Sequence, residues 1–301
     1  MSGVVLVTGA AGLVGRAVAS TLRRDGTAVL GLDLAGDPQG DVIACDLRDA
    51  RQLAAITHSR EFAAIVHCGA VSGPALHRDD PGHVARTNIE STVNLLELAV
   101  ARGVPRFVFA SSAAVYGRTP EDVAVEEERP LHPTSVYAAT KVAGEALVEA
   151  FSRQYGLSGV SLRIAAVYGP GRRTPCVIRD MILAGQEERS VTLPHGRDRR
   201  YHYIHVEDVA EAIVAAVRAG SIRKPAYTIA SDRGITMGAL AELVRMIVPG
   251  PSVSVGVGDD PLSEPQGPYD LDAAALDLGW RARITLPEGI RSYAAALLQE
   301  T

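Results

Sequence analysis

Apolar residues recur along the chain in two alternating rhythms. Residues 4–7 form an unbroken apolar run, the pattern of a strand buried on both faces. In the stretch that follows, Leu13, Val14, Ala17, Val18 and Leu22 share one helical face, while Arg16, Ser20, Arg23 and Arg24 occupy the other. Gly26 marks the end of that helix. Residues 28–32 read as a second buried strand, closed by Asp33. The alternation continues with strands predicted at 42–45, 64–67, 107–110 and 159–164, and helices at 49–57, 84–101 and 136–155. Apolar strands separated by amphipathic helices predict an α/β fold: a doubly wound parallel sheet of Rossmann type, covered on both faces.

After about residue 165 the rhythm breaks. "VYGPG" and "RRTP" are turn-rich. Helices are predicted near 176–184, 208–218 and 237–247, with short strands near 190–193, 203–206 and 227–230. A Pro/Gly-rich stretch runs over 249–268. The expected division is a cofactor domain over 1–165, with return segments near 200–230. A smaller, mostly C-terminal substrate-binding region would cover 166–301. No repeat or low-complexity tail is present.

Composition narrows the class. With 301 residues, 47% apolar and 22% charged, the chain has the make-up of a soluble globular protein. The net charge is −5 and no basic stripe appears, which argues against nucleic acid as a partner. "GRDRR" reads as a solvated loop, or as a contact for an anionic ligand. No apolar run approaches the ~20 residues that span a bilayer. The first residues carry no basic segment, so neither membrane insertion nor a signal peptide is expected. Cys45, Cys68 and Cys176 are widely spaced, which suits free thiols in a reducing cytoplasm. His202 and His205 differ by an odd number on a predicted strand and so point apart, and no metal site is expected.

Two motifs carry chemistry. "VTGAAGLVG" places Gly9, Gly12 and Gly15 between a strand and a helix, with an acid, Asp33, at the end of the next strand. Glycines there permit a tight turn and close approach of a pyrophosphate to the helix N-terminus. The acid accepts hydrogen bonds from a ribose and repels a 2′-phosphate, which favours NAD over NADP. "SVYAATK" sets Tyr137 and Lys141 one helical turn apart. The chain holds only two lysines, Lys141 and Lys224, which makes a chance pairing a poorer explanation. An ordinary Tyr, with a pKa of about 10, stays protonated at neutral pH and so cannot serve as a base; a neighbouring ammonium and a positive nicotinamide favour its phenolate.

The three-residue glycine spacing and the Tyr–Lys pair resemble the extended, epimerase/dehydratase branch of the short-chain dehydrogenase/reductases, along nearly the whole chain. "CDLRD", "HCGAV", "RTNIEST" and the late "LGW" followed by "ITLPEGI" are similar to that branch as well. The resemblance implies cofactor contacts from Leu13, Val14, Asp46, Leu47, Cys68, Gly69, Ala70, Asn88, Ser111, Ile164 and Val167, beside the glycines, Asp33, Tyr137 and Lys141. It implies a catalytic trio of Ser112, Tyr137 and Lys141, with Ser112 polarising the reacting oxygen. Ser72, Ser112, Ala113, Ala166, Arg173, Arg200 and Tyr201 would line the substrate side.

Departures from the family pattern matter too. Ala113 and Ala114 stand where sugar-nucleotide dehydratases carry an Asp–Glu pair, so dehydration is not expected. Ala166 replaces an Asn, and Tyr201 an Arg, that usually hold a substrate diphosphate. Arg199 or Arg200 would have to compensate. The expected activity is NAD-dependent oxidation of a secondary alcohol on a sugar or sugar-derived substrate, with a (nucleotide-)sugar epimerase preferred. An NAD-dependent dehydrogenase of a free sugar or sugar acid is the alternative, and a non-catalytic NAD-binding regulator is a third reading. Hydrolase motifs are absent. A homodimer through the helices near Val93 and Val142 is implied by the resemblance alone.

Overall fold

The computed structural model describes residues 3–37, 40–73, 76–248, 250, 253–259 and 264–300. Parts of the Pro/Gly-rich stretch at 249–268 lie outside the described residues. The first half builds β1 (Val4–Thr8), α1 (Leu13–Arg24), β2 (Val29–Asp33), β3 (Val42–Ala44), α2 (Ala50–Thr57), β4 (Phe62–His67), α3 (Pro81–Ala101), β5 (Phe107–Ser112), α4 (Val136–Tyr155) and β6 (Gly159–Ile164). The second half adds β7 (Ala166–Tyr168), α5 (Val177–Gln186), β8 (Val191–Leu193), β9 (Arg200–Tyr201), β10 (Tyr203–His205) and α6 (Val206–Arg218). It ends with β11 (Ala226–Ile229), β12 (Ile235–Thr236), α7 (Met237–Ile247), β13 (Val253–Val255), α8 (Asp272–Leu278) and α9 (Leu286–Glu300).

Seven parallel strands form one sheet in the order β3-β2-β1-β4-β5-β6-β11. The direction of winding reverses between β1 and β4. In open α/β sheets that reversal opens a crevice at the carboxyl ends of the strands. The apolar runs are continuous because each strand feeds two cores. Val5 and Val7 of β1 join one cluster with Val18, Leu22, Ile213 and Val217 of α1 and α6, while Leu6 joins another with Leu95 and Leu96 of α3 and Val148 of α4.

A third apolar cluster lies beyond the sheet. Ile178 and Ile182 of α5, Leu240 and Val244 of α7, and Ile290, Tyr293 and Leu297 of α9 pack together there. The C-terminal stretch also returns to the sheet: Trp280, just past α8, is buried in the first cluster, and its indole N–H donates to the Asp208 carbonyl at 3.1 Å. Helices α8 and α9 were not anticipated from the sequence. Among the described residues no helix is long and apolar enough to cross a membrane.

Candidate active site

A cavity of about 940 Å³ runs along the carboxyl ends of the sheet strands. Its floor begins at the glycine turn. Gly9 has φ +66°, and a Cβ there would lie 2.7 Å from the Gly69 amide nitrogen across the crevice. A Cβ on Gly15 would collide with the Gly9 carbonyl oxygen. Helix α1 starts after Gly12 with no side-chain cap and no acid in its first turn. Its N–H groups and positive dipole end therefore suit an anion such as a pyrophosphate. Asp33 closes β2 beside this turn; its carboxylate accepts from the Ala11 N–H at 2.9 Å and the Leu34 N–H at 2.7 Å. These residues fit a dinucleotide.

The adjoining wall holds Asp46 and Leu47, then Cys68, Gly69 and Ala70. Arg48 donates to Asp46 at 2.6 Å and holds its carboxyl below the usual range. Arg48 itself lines the cavity and was not singled out from the sequence. Cys68 is a thiol kept protonated: burial pushes it up to about 12.

Ser112, Tyr137 and Lys141 meet in the same cavity. Ser135 caps α4, accepting from the Ala138 N–H at 3.1 Å, and so fixes where Tyr137 leaves the helix. One turn on, the Lys141 ammonium donates to the Ala110 carbonyl at 2.7 Å and sits 4.8 Å from the centre of the Phe109 ring. That ring occupies space which only a glycine, Gly144, leaves open on α4. Burial pulls the ammonium down to about 8. The Tyr137 phenol behaves differently from the sequence expectation. Burial pushes it above its ordinary value, opposed by the Ser112 and Ser72 hydroxyls rather than by Lys141. In the protein alone the desolvation of a phenolate outweighs the lysine.

Ser112 accepts from the Ala114 N–H at 3.2 Å at the end of β5. Ser111 also lines the cavity, but its hydroxyl donates to Glu145 at 2.5 Å. Ile164, Ala166 and Val167 line the cavity near the end of β6 and in β7. Two of the expected residues lie outside the cavity lining. Asn88 does not line the cavity. It is buried, accepting from the Val71 N–H at 2.8 Å and donating to Thr140 at 2.9 Å, and so ties the loop after β4 to α4. Arg173 is also outside the lining; its neighbour Arg172 turns inward and donates to the Pro175 carbonyl at 2.9 Å.

On the substrate side Arg200 and Tyr201 line the cavity, as do His202 and Tyr269, whose rings are 4.7 Å apart. Arg199 does not. It pairs with Glu121 at 3.0 Å and with Asp259, so it is not placed to compensate for a lost diphosphate contact. His205 turns its ring against Tyr168 at 5.4 Å, away from His202.

The sequence from residue 5 to 230 matches the profile of the NAD dependent epimerase/dehydratase family. The chain belongs to that family. A UDP-glucose 4-epimerase of Mycolicibacterium smegmatis is 32% identical over 312 residues, covering 95% of each chain. UDP-glucuronate 4-epimerase 5 of Arabidopsis thaliana is 39% identical over 233 residues. The present chain matches 71% of its own length to that plant protein, but spans only 53% of the plant protein's length. Among solved structures, a Thermus thermophilus UDP-glucose 4-epimerase in complex with NAD superposes with a TM-score of 0.89 at 28% identity, covering 99% of this chain and all of the other.

Family membership gives weight to what this epimerase/dehydratase chain lacks. Ala113 and Ala114 both line the cavity beside Ser112, and neither methyl group is an acid or a base. Arg172, His202, Gln266 and Tyr269 are cavity residues that sequence reasoning missed. Arg172 shares the "GRRTP" turn with Arg173, so the turn itself was legible and the choice between the two arginines was not. Gln266 and Tyr269 had no signal, because they reach the site from the end of the Pro/Gly-rich stretch and the residue just past it, where there is no periodicity.

Proposed function

We propose that the protein is an NAD-dependent nucleotide-sugar epimerase that inverts a secondary carbinol, with UDP-glucose or UDP-glucuronate as the substrate type. The observation that carries this reading is the convergence of Ser112, Tyr137 and Lys141 in the cavity that begins at the glycine cradle. Relatives that are a UDP-glucuronate 4-epimerase and a UDP-glucose 4-epimerase support it. NAD, held at the glycine turn and by Asp33, would supply a reversible hydride acceptor for the carbinol carbon. Tyr137 takes the hydroxyl proton on its phenolate oxygen and gives it back after the substrate turns over. Lys141 lies one turn away, and its positive charge, with that of the oxidised cofactor, offsets the burial that disfavours the Tyr137 phenolate. Ser112 donates a hydrogen bond to the reacting oxygen as it gains carbonyl character. Asp33 receives the ribose hydroxyls. The alanines at 113 and 114 leave no group to eliminate water.

Ala166 and Tyr201 favour a second reading, an NAD-dependent dehydrogenase of a free sugar or sugar acid. Each missing charge-assisted phosphate contact costs ~1.5–3 kcal/mol of binding. Arg172 and Arg200 are the cations placed to offset that loss. A homodimer through α3 and α4, and a cytoplasmic setting consistent with three free cysteines, complete the proposal. The test is incubation with NAD and UDP-glucose, UDP-glucuronate or free sugars, following product stereochemistry and NADH together. Epimer without NADH accumulation supports the epimerase. Ketone and NADH in equal amounts from a free sugar would overturn it.

A further inference from the structure

Behind the Tyr137–Lys141 pair lies a buried charged network that the mechanism above does not use. Tyr137, Lys141 and Glu145 follow one another at four-residue intervals along α4 and share a face. Glu145 is buried, as is its partner Arg163 on β6. The guanidinium donates to both carboxylate oxygens of Glu145, at 3.0 Å from Nε and 2.8 Å from Nη2 to Oε2, and at 3.1 Å from Nε to Oε1. Nη1 of the same arginine donates to the Tyr116 hydroxyl at 3.1 Å and to the Glu127 carbonyl at 2.6 Å. The remaining capacity of Glu145 is taken by the Ser111 hydroxyl at 2.5 Å. Ser111 is flanked in sequence by Ala110, whose carbonyl receives Lys141, and by Ser112. It lies directly across from Arg163 in the sheet.

A surface ion pair in this place would contribute little, but this one is buried, bidentate and satisfied on its other sides. We propose that Glu145, locked by Arg163, is a positioning residue: it fixes the end of β5 against α4 and supplies the buried negative charge that keeps Lys141 cationic beside Tyr137. The proposal rests on the Tyr137–Lys141 reading above. The charged and titratable groups around Lys141 are His67 and Cys68 from the end of β4, Tyr137 and Glu145 from α4, and Arg163 from β6 behind Glu145. Burial holds His67 and Cys68 uncharged at neutral pH. Glu145 is therefore the anion that favours the ammonium against burial, with Arg163 the cation that balances it.

The two charges make opposite predictions. Glu145→Gln leaves Arg163 unpaired, adds one positive charge near Lys141 and should move its titration down. Arg163→Gln leaves Glu145 unpaired and should move it up. A nearby buried charge shifts a neighbour by about one pH unit. The chain has only two lysines, so a protein labelled with isotopic lysine gives two side-chain NMR signals, and Lys224→Arg assigns them. The experiment titrates Lys141 in the full-length, NAD-loaded protein and in both variants. Opposite displacements of about one unit are expected, with the alkaline limb of the kcat–pH profile following each. Lys141 midpoints that stay put, or move the same way in both variants, would overturn the proposal, since a structural role alone loses activity without opposed shifts. Either variant decides by the sign of its own shift if the other fails to fold. The titration needs no substrate, so it stands apart from the epimerase reading, which fails instead if Tyr137→Phe remains active.

Discussion

The Asp33 carboxylate does two things at once: it accepts the N–H groups of Ala11 and Leu34, and it faces the cavity. A 2′-phosphate placed there would meet a carboxylate whose neighbouring donors are already engaged. NAD should therefore bind tighter than NADP by titration, and Asp33→Asn should reduce that preference about tenfold or more, the worth of a charged hydrogen bond. Tighter NADP binding by the unaltered protein would contradict this. Arg200 is the corresponding residue on the substrate side. If it holds a diphosphate, UDP should inhibit competitively, less so at high salt, and Arg200→Ala should weaken that inhibition about tenfold. No inhibition by UDP would favour the free-sugar dehydrogenase. At this scale the sequence was readable where spacing sets position: Tyr137 and Lys141 fall one turn apart on α4 and both line the cavity. It was unreadable where a turn decides direction: nothing in "GRRTP" says that Arg172 rather than Arg173 turns inward. Asn88 sits on a helix face that packs against α4, and its amide is engaged by Thr140 and by Val71 of the loop after β4.

Secondary structure was most legible where an apolar rhythm runs unbroken. The spans of α4, β6 and α7 agree residue for residue with the pattern, because each has a long amphipathic or fully apolar run with clear stops, such as the left-handed Gly156 after α4. Helix α9 escaped notice because Pro287 and Gly289 resemble a turn. A proline in the first helical turn removes an N–H that has no partner there, so the helix tolerates it. The two-residue strands β9 and β12 have no periodicity to read. The junction of β1 and α1 carries its own test. Gly15→Ala would drive a methyl group into the Gly9 carbonyl, where backbone rather than a flexible side chain must yield. It should cost ~1–3 kcal/mol of stability and weaken NAD binding, as read by denaturant melts and cofactor titration. A variant with unaltered NAD affinity would show that the turn does not approach the cofactor.

Three buried histidines shape the whole molecule's response to acid: burial pulls His67, His202 and His205 all below the ordinary value, and His67 and His202 furthest. His67 is pulled down to about 3 by burial, its ring nitrogens 2.8 Å from the Thr8 hydroxyl and 3.1 Å from that of Thr92; His202 is pulled down to about 4, also chiefly by burial. Both lie below the ordinary histidine value of about 6.5, so as pH falls the unfolded chain takes up protons that the folded chain refuses. Their contribution is fully present above pH 6.5 and is lost as pH falls toward 4, at about 1.4 kcal/mol per pH unit for each histidine. Melting temperature should fall between pH 6.5 and 4.5, before most carboxylates titrate. A flat profile there would mean that these rings are protonated in the folded state. The claim on which the functional account depends is that Tyr137 moves the substrate proton in a cavity that binds NAD without it. Tyr137→Phe keeps the buried ring and removes only the hydroxyl. Measured side by side, kcat with the accepted sugar substrate should fall by about a thousandfold or more, while NAD affinity stays within a few-fold of the unaltered protein. A variant that keeps most of its kcat would contradict the account.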